Sequence, residues 1–184
     1  DLITNTIQVL ENNNTILYPT DTVWGLGCDA TSESAVTKIY ELKKRSESKS
    51  LVLLVSSINM LKKYVSVPQK ALELLKSTTQ PTTIIYSNPK GIASNAISKE
   101  DNTVAIRIVQ NDFCRKLIKR FGKPIVSTSA NISGEVTPKS FSGISKEIKS
   151  NVDFIVEVEE ESKKTKPSTI LKIMEDGSIK TLRT

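Results

Sequence analysis

The chain contains no histidine. A Ser-His-Asp or Cys-His relay is therefore excluded, as are the common histidine-containing metal sites. Cysteine is nearly as scarce. Cys28 and Cys114 stand far apart with no paired spacing, which argues against a zinc site or a disulfide framework and for two buried thiols in a reducing compartment. Aromatic residues are few, with four Phe, four Tyr and one Trp, and they form no aromatic RNA-recognition signature. The longest uninterrupted apolar run, Leu51 to Val55, is far too short to span a bilayer. The N-terminal stretch is acidic and polar, without a basic segment leading into an apolar one, so no signal peptide and a cytoplasmic location are expected. Chemistry must then come from Lys, Arg, carboxylates, hydroxyls, backbone dipoles or a hard metal carried by a substrate.

What is present is an ordinary globular composition. The 184 residues are 38% hydrophobic and 25% charged, which fits one domain, residues 1–184, with a sizeable core. The formal net charge of +6 and pI near 9.2 suit a polyanionic ligand such as a nucleotide or RNA, and they serve solubility equally well.

One stretch organises the rest. Ile125 to Pro138 begins as a short buried strand after Pro124 and turns into a row of small polar side chains: Ser127, Thr128, Ser129, Asn131, Ser133 and Thr137. Small polar residues after an apolar strand let N–H groups and hydroxyls approach an anion, at the strand ends where open α/β sheets gather ligands. The same residue types also serve plain turns. Earlier in the chain, Thr20 to Gly27 places two threonines around Asp21 and ends in Gly25-x-Gly27. No third glycine follows at dinucleotide spacing and no Lys-Ser/Thr pair makes a Walker loop. The glycines read as a tight turn or a close backbone approach.

A helix is predicted over Ser32 to Arg45, capped by Ser32, with Ala35, Val36, Ile39, Tyr40 and Leu42 as its apolar stripe. It ends in Lys43-Lys44-Arg45, and Lys49 follows. Cations suit a helix C-terminus, but that effect fades beyond the last turn, so Lys49 needs another reason. Arg45 and Lys49 could together clamp a triphosphate. Further helices are expected over 1–14, Ile58 to Tyr64, Gln69 to Lys76, Asp112 to Phe121 and Phe141 to Ser150. Strands are expected over Thr15 to Tyr18, where Pro19 should stop the pairing, Leu51 to Val55, Thr82 to Tyr86, Thr103 to Ile108, Asp153 to Val158, Pro167 to Leu171 and Ser178 to Arg183. In Thr103 to Ile108 the alternation puts Thr103, Ala105 and Arg107 on one face; taken alone, that arginine reads as a solvated strand residue. Alternating strands and helices without repeat or linker give one α/β domain with a mixed sheet.

Four segments together resemble the YrdC-type threonylcarbamoyl-AMP synthases. They are Tyr-Pro-Thr-Asp-Thr-Val-Trp-Gly-Leu-Gly at 18–27, Lys43-Lys44-Arg45 with Lys49, Ser127-Thr128-Ser129-Ala130-Asn131 with Thr137-Pro138, and Pro167-Ser168-Thr169-Ile170. The family fingerprint of Lys-x-Arg and a later Ser-x-Asn falls on Lys43, Arg45, Ser129 and Asn131. The likeness runs from about Ile16 to Arg183. It implies a twisted mixed sheet with flanking helices and a basic concave face that holds ATP and L-threonine. It also implies condensation of L-threonine, bicarbonate or carbon dioxide, and ATP, with release of pyrophosphate, for threonylcarbamoyl modification of the adenosine beside the anticodon in transfer RNA.

By the same resemblance, Arg45, Lys49, Thr103, Ser129, Thr137 and Arg183 would contact ATP, and Thr22, Arg107, Ser127 and Ser168 would hold threonine. Lys43 and Asn131 complete the catalytic fingerprint. Magnesium would come with ATP. Implied partners are proteins that transfer threonylcarbamoyl to transfer RNA, and a basic domain suits contact with transfer RNA or double-stranded RNA. The chain departs from the pattern at Trp24, usually Tyr, at Ser46 and Ser50, usually Pro, and at Leu54, where several relatives carry His near the threonine. A non-catalytic RNA-binding module and a related carbamoyl-adenylating enzyme are the alternatives. The first lacks recognition aromatics, and the second sits within larger chains.

Overall fold

The computed structural model describes residues 1–45, 51–158 and 167–184. Its centre is one mixed nine-stranded sheet in the order β7-β1-β2-β6-β3-β5-β4-β8-β9. The strands are β1 (Ile16–Pro19), β2 (Trp24–Gly27), β3 (Val52–Val55), β4 (Thr82–Ser87), β5 (Thr103–Ile108), β6 (Ile125–Ser129), β7 (Phe154–Ile155), β8 (Thr169–Ile173) and β9 (Ile179–Arg183). The helices are α1 (Leu2–Glu11), α2 (Glu33–Lys43), α3 (Ile58–Leu61), α4 (Gln69–Ser77), α5 (Asp112–Phe121) and α6 (Lys146–Asn151). The expected α/β class with a mixed sheet and flanking helices is what the structure shows. None of the described helices is long and apolar enough to cross a membrane.

Local chemistry sets the boundaries. Ser32 caps α2 by accepting from the Ala35 N–H, and Asn111 does the same for α5 through Cys114. Gly122 ends α5 in the left-handed region at φ 81°. Lys44, at φ 52°, ends α2 the same way without being a glycine, and this lets the Arg45 N–H reach back to the Tyr40 carbonyl at 2.9 Å. The central strands are buried on both faces, so they read as apolar runs: Leu53, Leu54, Val55, Ile84, Val104, Ile125 and Val126 all lie in the core. Both cysteines are free, buried thiols, and burial pushes each well above the ordinary thiol range.

Several expectations are corrected. Trp24–Gly27 is a strand, β2, so of the two readings of its glycines the tight turn falls and the close backbone approach stands, with a Cβ on Gly27 lying 2.7 Å from the Val126 carbonyl oxygen; Pro19 does not stop the pairing of β1 but lies opposite Trp24 in register. Ile58 to Tyr64 is helical only to Leu61. Phe141 to Ser150 divides into a 3₁₀ turn at Phe141–Gly143 and the short α6. The strand expected over Asp153 to Val158 narrows to two residues, Phe154–Ile155; just before it, the Asp153 carboxylate accepts from the Thr15 N–H and hydroxyl at 2.8 and 3.0 Å.

Candidate active site

Register fixes which side chains share the working face of the sheet. Arg107 on β5 lies opposite Thr83 on β4 and Leu54 on β3; Ala105 lies opposite Val52, which lies opposite Ser127 on β6. Thr83 in turn pairs with Ile170, and Ile170 with Arg183. Partners in register point the same way. Arg107, Thr103, Thr83, Ser127, Ser129 and Arg183 are therefore on one face, with Thr103 and Arg107 about 13 Å apart along their strand. Lys172, opposite Ile85 in the same ladder, joins them; sequence reasoning did not single it out.

Arg107 overturns the expectation of a solvated strand residue. Its side chain is 4% exposed and its Nη2 donates to Asp21 Oδ1 at 3.0 Å and to Thr22 Oγ1 at 3.3 Å. A buried guanidinium is stable only with such partners. The turn between β1 and β2 supplies them, and Thr20 folds that turn. Its hydroxyl donates to the Val23 carbonyl at 2.6 Å and accepts from the Thr22 N–H at 3.1 Å. Because that proton is committed, the 3.2 Å contact between the two hydroxyls must have Thr22 as donor. Thr22 thus gives its proton to Thr20, accepts from Arg107 and keeps a lone pair for a donor on a ligand, as an amine or hydroxyl would offer.

Beside this pair, Thr83 and Ser168 share a 2.6 Å hydroxyl contact, both buried, and Arg183 donates through Nε and Nη2 to the Ser168 carbonyl at 3.1 and 2.8 Å. Thr83 was missed in the sequence, since a threonine in an apolar strand carries no signal of its own. Its role gives a simple expectation. Thr83→Val, which keeps the shape and removes the hydroxyl, should lower stability by about 1–2 kcal/mol and weaken the site's hold on its ligand, whereas Thr83→Ser should lose about 1 kcal/mol for its buried methyl but keep the ligand's hold. Thermal melts and ligand titrations of both variants check this.

A second cluster gathers the fingerprint residues. The Lys43 ammonium, 3% exposed, donates to the Ser129 carbonyl at 2.5 Å, to Ser129 Oγ at 3.3 Å and to Asn131 Oδ1 at 3.4 Å. Its own carbonyl accepts from the Ser133 N–H at 2.8 Å. Asn131 spends its amide on the Ile132 and Glu135 carbonyls. Lys43 and Asn131 therefore shape the loop after β6 with all their polar capacity, while Ser129 keeps a hydroxyl proton to offer an anion. Burial, and then the neighbouring Arg45 charge, push the Lys43 pKa down to about 8. That coupling also places Arg45 beside Lys43, and so beside the Ser129 loop.

Of the remaining expected residues, Thr103 is buried and donates its hydroxyl to Asp101 Oδ1 at 2.7 Å, and Asp101 is held in turn by Lys172 at 2.8 Å. These bonds hold the Asp101 carboxyl well below the usual range. Thr103, Asp101, Lys172, Ser87 and Met174 line a hollow of about 530 Å³. Thr137 is exposed in the loop that follows Gly134. Lys49, with Ser46 and Ser50, lies outside the described residues. Leu54 is fully buried beside Arg107, and Trp24 packs edge-on to Phe141 at 5.2 Å.

With this geometry in view, the likenesses to known proteins are specific. The profile of the Sua5, YciO and YrdC family, described as "Telomere recombination", matches residues 8–184. A protein of Psychromonas ingrahamii named threonylcarbamoyl-AMP synthase is 36% identical over 153 residues, covering 81% of this chain and 80% of that one. One of the same name from Pseudoalteromonas translucida is 33% identical over 168 residues, covering 89% of each. The structure of P. abyssi Sua5 complexed with L-threonine superposes with a TM-score of 0.88 at 26% identity, over 98% of this chain and 53% of that one; the present chain spans about half of that protein. E. coli YciO shares the fold, with a TM-score of 0.84 at 22% identity over 99% of this chain and 88% of that one. The chain belongs to the Sua5/YciO/YrdC family.

Proposed function

We propose that this protein makes L-threonylcarbamoyl-AMP from L-threonine, bicarbonate or carbon dioxide, and ATP. The observation that carries this reading is the buried Arg107 guanidinium, bonded to Thr22 on the same sheet face that leads to the Lys43–Ser129–Asn131 cluster. A cation so placed recognises a small carboxylate, and Thr22 beside it has a lone pair left for an amino or hydroxyl donor. The relatives named threonylcarbamoyl-AMP synthase and the L-threonine complex of Sua5 support the same substrate.

The reaction needs positioning and charge neutralisation rather than a protein nucleophile. The threonine amine adds to carbon dioxide and gives up a proton to solvent, or displaces water from bicarbonate, and becomes a carbamate. A carbamate oxygen attacks the α-phosphorus of ATP, the bond from that phosphorus to the bridging oxygen breaks, and pyrophosphate leaves. Arg107, Thr22, Ser127 and Ser168 hold the amino acid. Arg45, Lys49 and the Ser129 hydroxyl meet the phosphates, with Thr103, Thr137 and Arg183 as further nucleotide contacts. Among the described residues no group of three or more His, Cys, Asp or Glu is placed to hold a metal. Magnesium would enter on the ATP phosphates as part of the substrate, adding positive charge to the leaving pyrophosphate. The product would pass, in the cytoplasm, to proteins that load it onto transfer RNA.

Purified protein supplied with MgATP and bicarbonate should release pyrophosphate only when L-threonine is added. Pyrophosphate release that ignores threonine, or none with it, would remove this assignment.

A further inference from the structure

The Arg107 guanidinium carries a second, unused donor. Its Nε is buried and has no hydrogen-bond partner among the described residues. Leaving a charged donor bare in the interior is unfavourable unless a ligand completes it. The other end of the same guanidinium is fixed. Asp21, whose side chain is 7% exposed, accepts from Nη2 through Oδ1, and its Oδ2 accepts from the Gln110 N–H at 3.1 Å. One carboxylate thus clips the β1–β2 turn both to the Arg107 side chain and to the backbone just past β5. The remaining bond to Arg107 comes from Thr22, on that same turn.

Two roles for such a carboxylate are chemically distinct. As an internal competitor it would occupy the cation until substrate displaced it. As an orienting group it would stay in place and offer substrate the remaining edge. The bare Nε favours the second, because it is a buried donor without a partner among the described residues, which a ligand carboxylate settling against the guanidinium would complete without displacing Asp21. The double anchoring of Asp21 favours it too, because release would also break its bond to the Gln110 N–H.

We propose that Asp21 is a positioning residue: it holds Arg107 by Nη2 so that Nε is left for the carboxylate of the amino-acid substrate. This rests on the reading of Arg107 as the partner of that carboxylate. Asn at position 21 loses the charge and keeps a single acceptor, so it can serve Arg107 or the Gln110 N–H but not both, and its hold on the guanidinium is weaker.

Steady-state kinetics should show the KM for L-threonine rising about tenfold or more in Asp21→Asn, with the KM for ATP unchanged, since misplacing a binding group acts on the ligand it holds. Fluorescence of Trp24 and a thermal melt check that the variant is folded. In the wild-type protein, adding L-threonine should shift the Arg107 Nε–H resonance in ¹⁵N spectra and leave the Asp21 carboxyl carbon unmoved, a result that does not depend on the variant folding. An unchanged threonine KM in Asp21→Asn, or a lower one, overturns the positioning role, as does a threonine-induced shift of the Asp21 carboxyl. Arg107→Ala separates the two levels. If it raises the threonine KM while Asp21→Asn does not, Asp21 alone is misassigned. If Arg107→Ala leaves the threonine KM unchanged, the assignment of Arg107 falls and this proposal falls with it.

Discussion

Lys43→Met should leave a folded protein whose pyrophosphate release is lower by about a hundredfold or more, the scale seen when one preorganised donor is removed from where charge develops. The reason is geometric. The ammonium spends its three protons on the Ser129 carbonyl, the Ser129 hydroxyl and Asn131, so it sets the position of the one fingerprint hydroxyl that still has a proton to give. Methionine fills the same volume but cannot hold that loop. Stability near neutral pH should change little, because the lost hydrogen bonds are offset by relief from burying a charge. The dependence on pH is more telling. Burial lowers the folded-state pKa of Lys43 to about 8, below the unfolded value of about 10.4. Between those two values the unfolded chain binds more protons than the folded one, so folding becomes more favourable as pH rises through the window. Wild-type stability measured against Lys43→Met should therefore climb from about pH 8 to pH 10.4, by an amount of order 3 kcal/mol. Urea unfolding of both proteins across that range checks it. A flat difference would mean that the ammonium is not desolvated, and that the loop is held some other way.

How much of this site could be seen in the sequence follows from where its residues lie along the chain. The alternation in Thr103 to Ile108 placed Thr103 and Arg107 on one face, and the strand-then-polar pattern of Ile125 to Pro138 marked the loop that Lys43 grips. Both are local patterns, and local patterns survive folding. The burial of Arg107 was not legible, because its partner Asp21 lies 86 residues away, on a β1–β2 turn that is separated from β5 in the sheet by β6 and β3. Thr83 and Lys172 were hidden for a related reason: each matters through a side chain far along the chain, Ser168 and Asp101 respectively, and nothing in its own segment announces that. At Trp24–Gly27 the sequence left two readings open. Glycine is depleted in strands, which spoke for a turn, but the other reading, a close backbone approach, is the one that holds: at Gly27 the Val126 carbonyl of β6 leaves no room for a Cβ.

Gly27→Ala should be the most destabilising single-methyl change in this region, by about 3 kcal/mol. A Cβ there would stand 2.6 Å from the Tyr18 ring, 2.7 Å from the Val126 carbonyl oxygen and 3.2 Å from Ile125. The second of these is backbone and cannot swing aside. The first is a fully buried ring whose hydroxyl donates to that same Val126 carbonyl at 3.0 Å. Relieving the clash therefore means moving β6 or breaking a buried hydrogen bond, and β6 runs directly into Ser127 and Ser129. Gly25→Ala makes a useful contrast. Its nearest contacts, 3.2 Å to Ser127 Oγ and to Thr20 Cγ2 and 3.4 Å to the Tyr18 ring, are side-chain atoms that can yield by a few tenths of an ångström. It should cost less stability but disturb the hydroxyls that line the amino-acid end of the face, so its signature should be a raised threonine KM in a protein that melts near the wild-type temperature. Thermal melts and kinetics of the two variants side by side test the pair. Equal stabilities would show that β6 can move away from β2 freely, and that the strand carrying the working loop is not held by this packing.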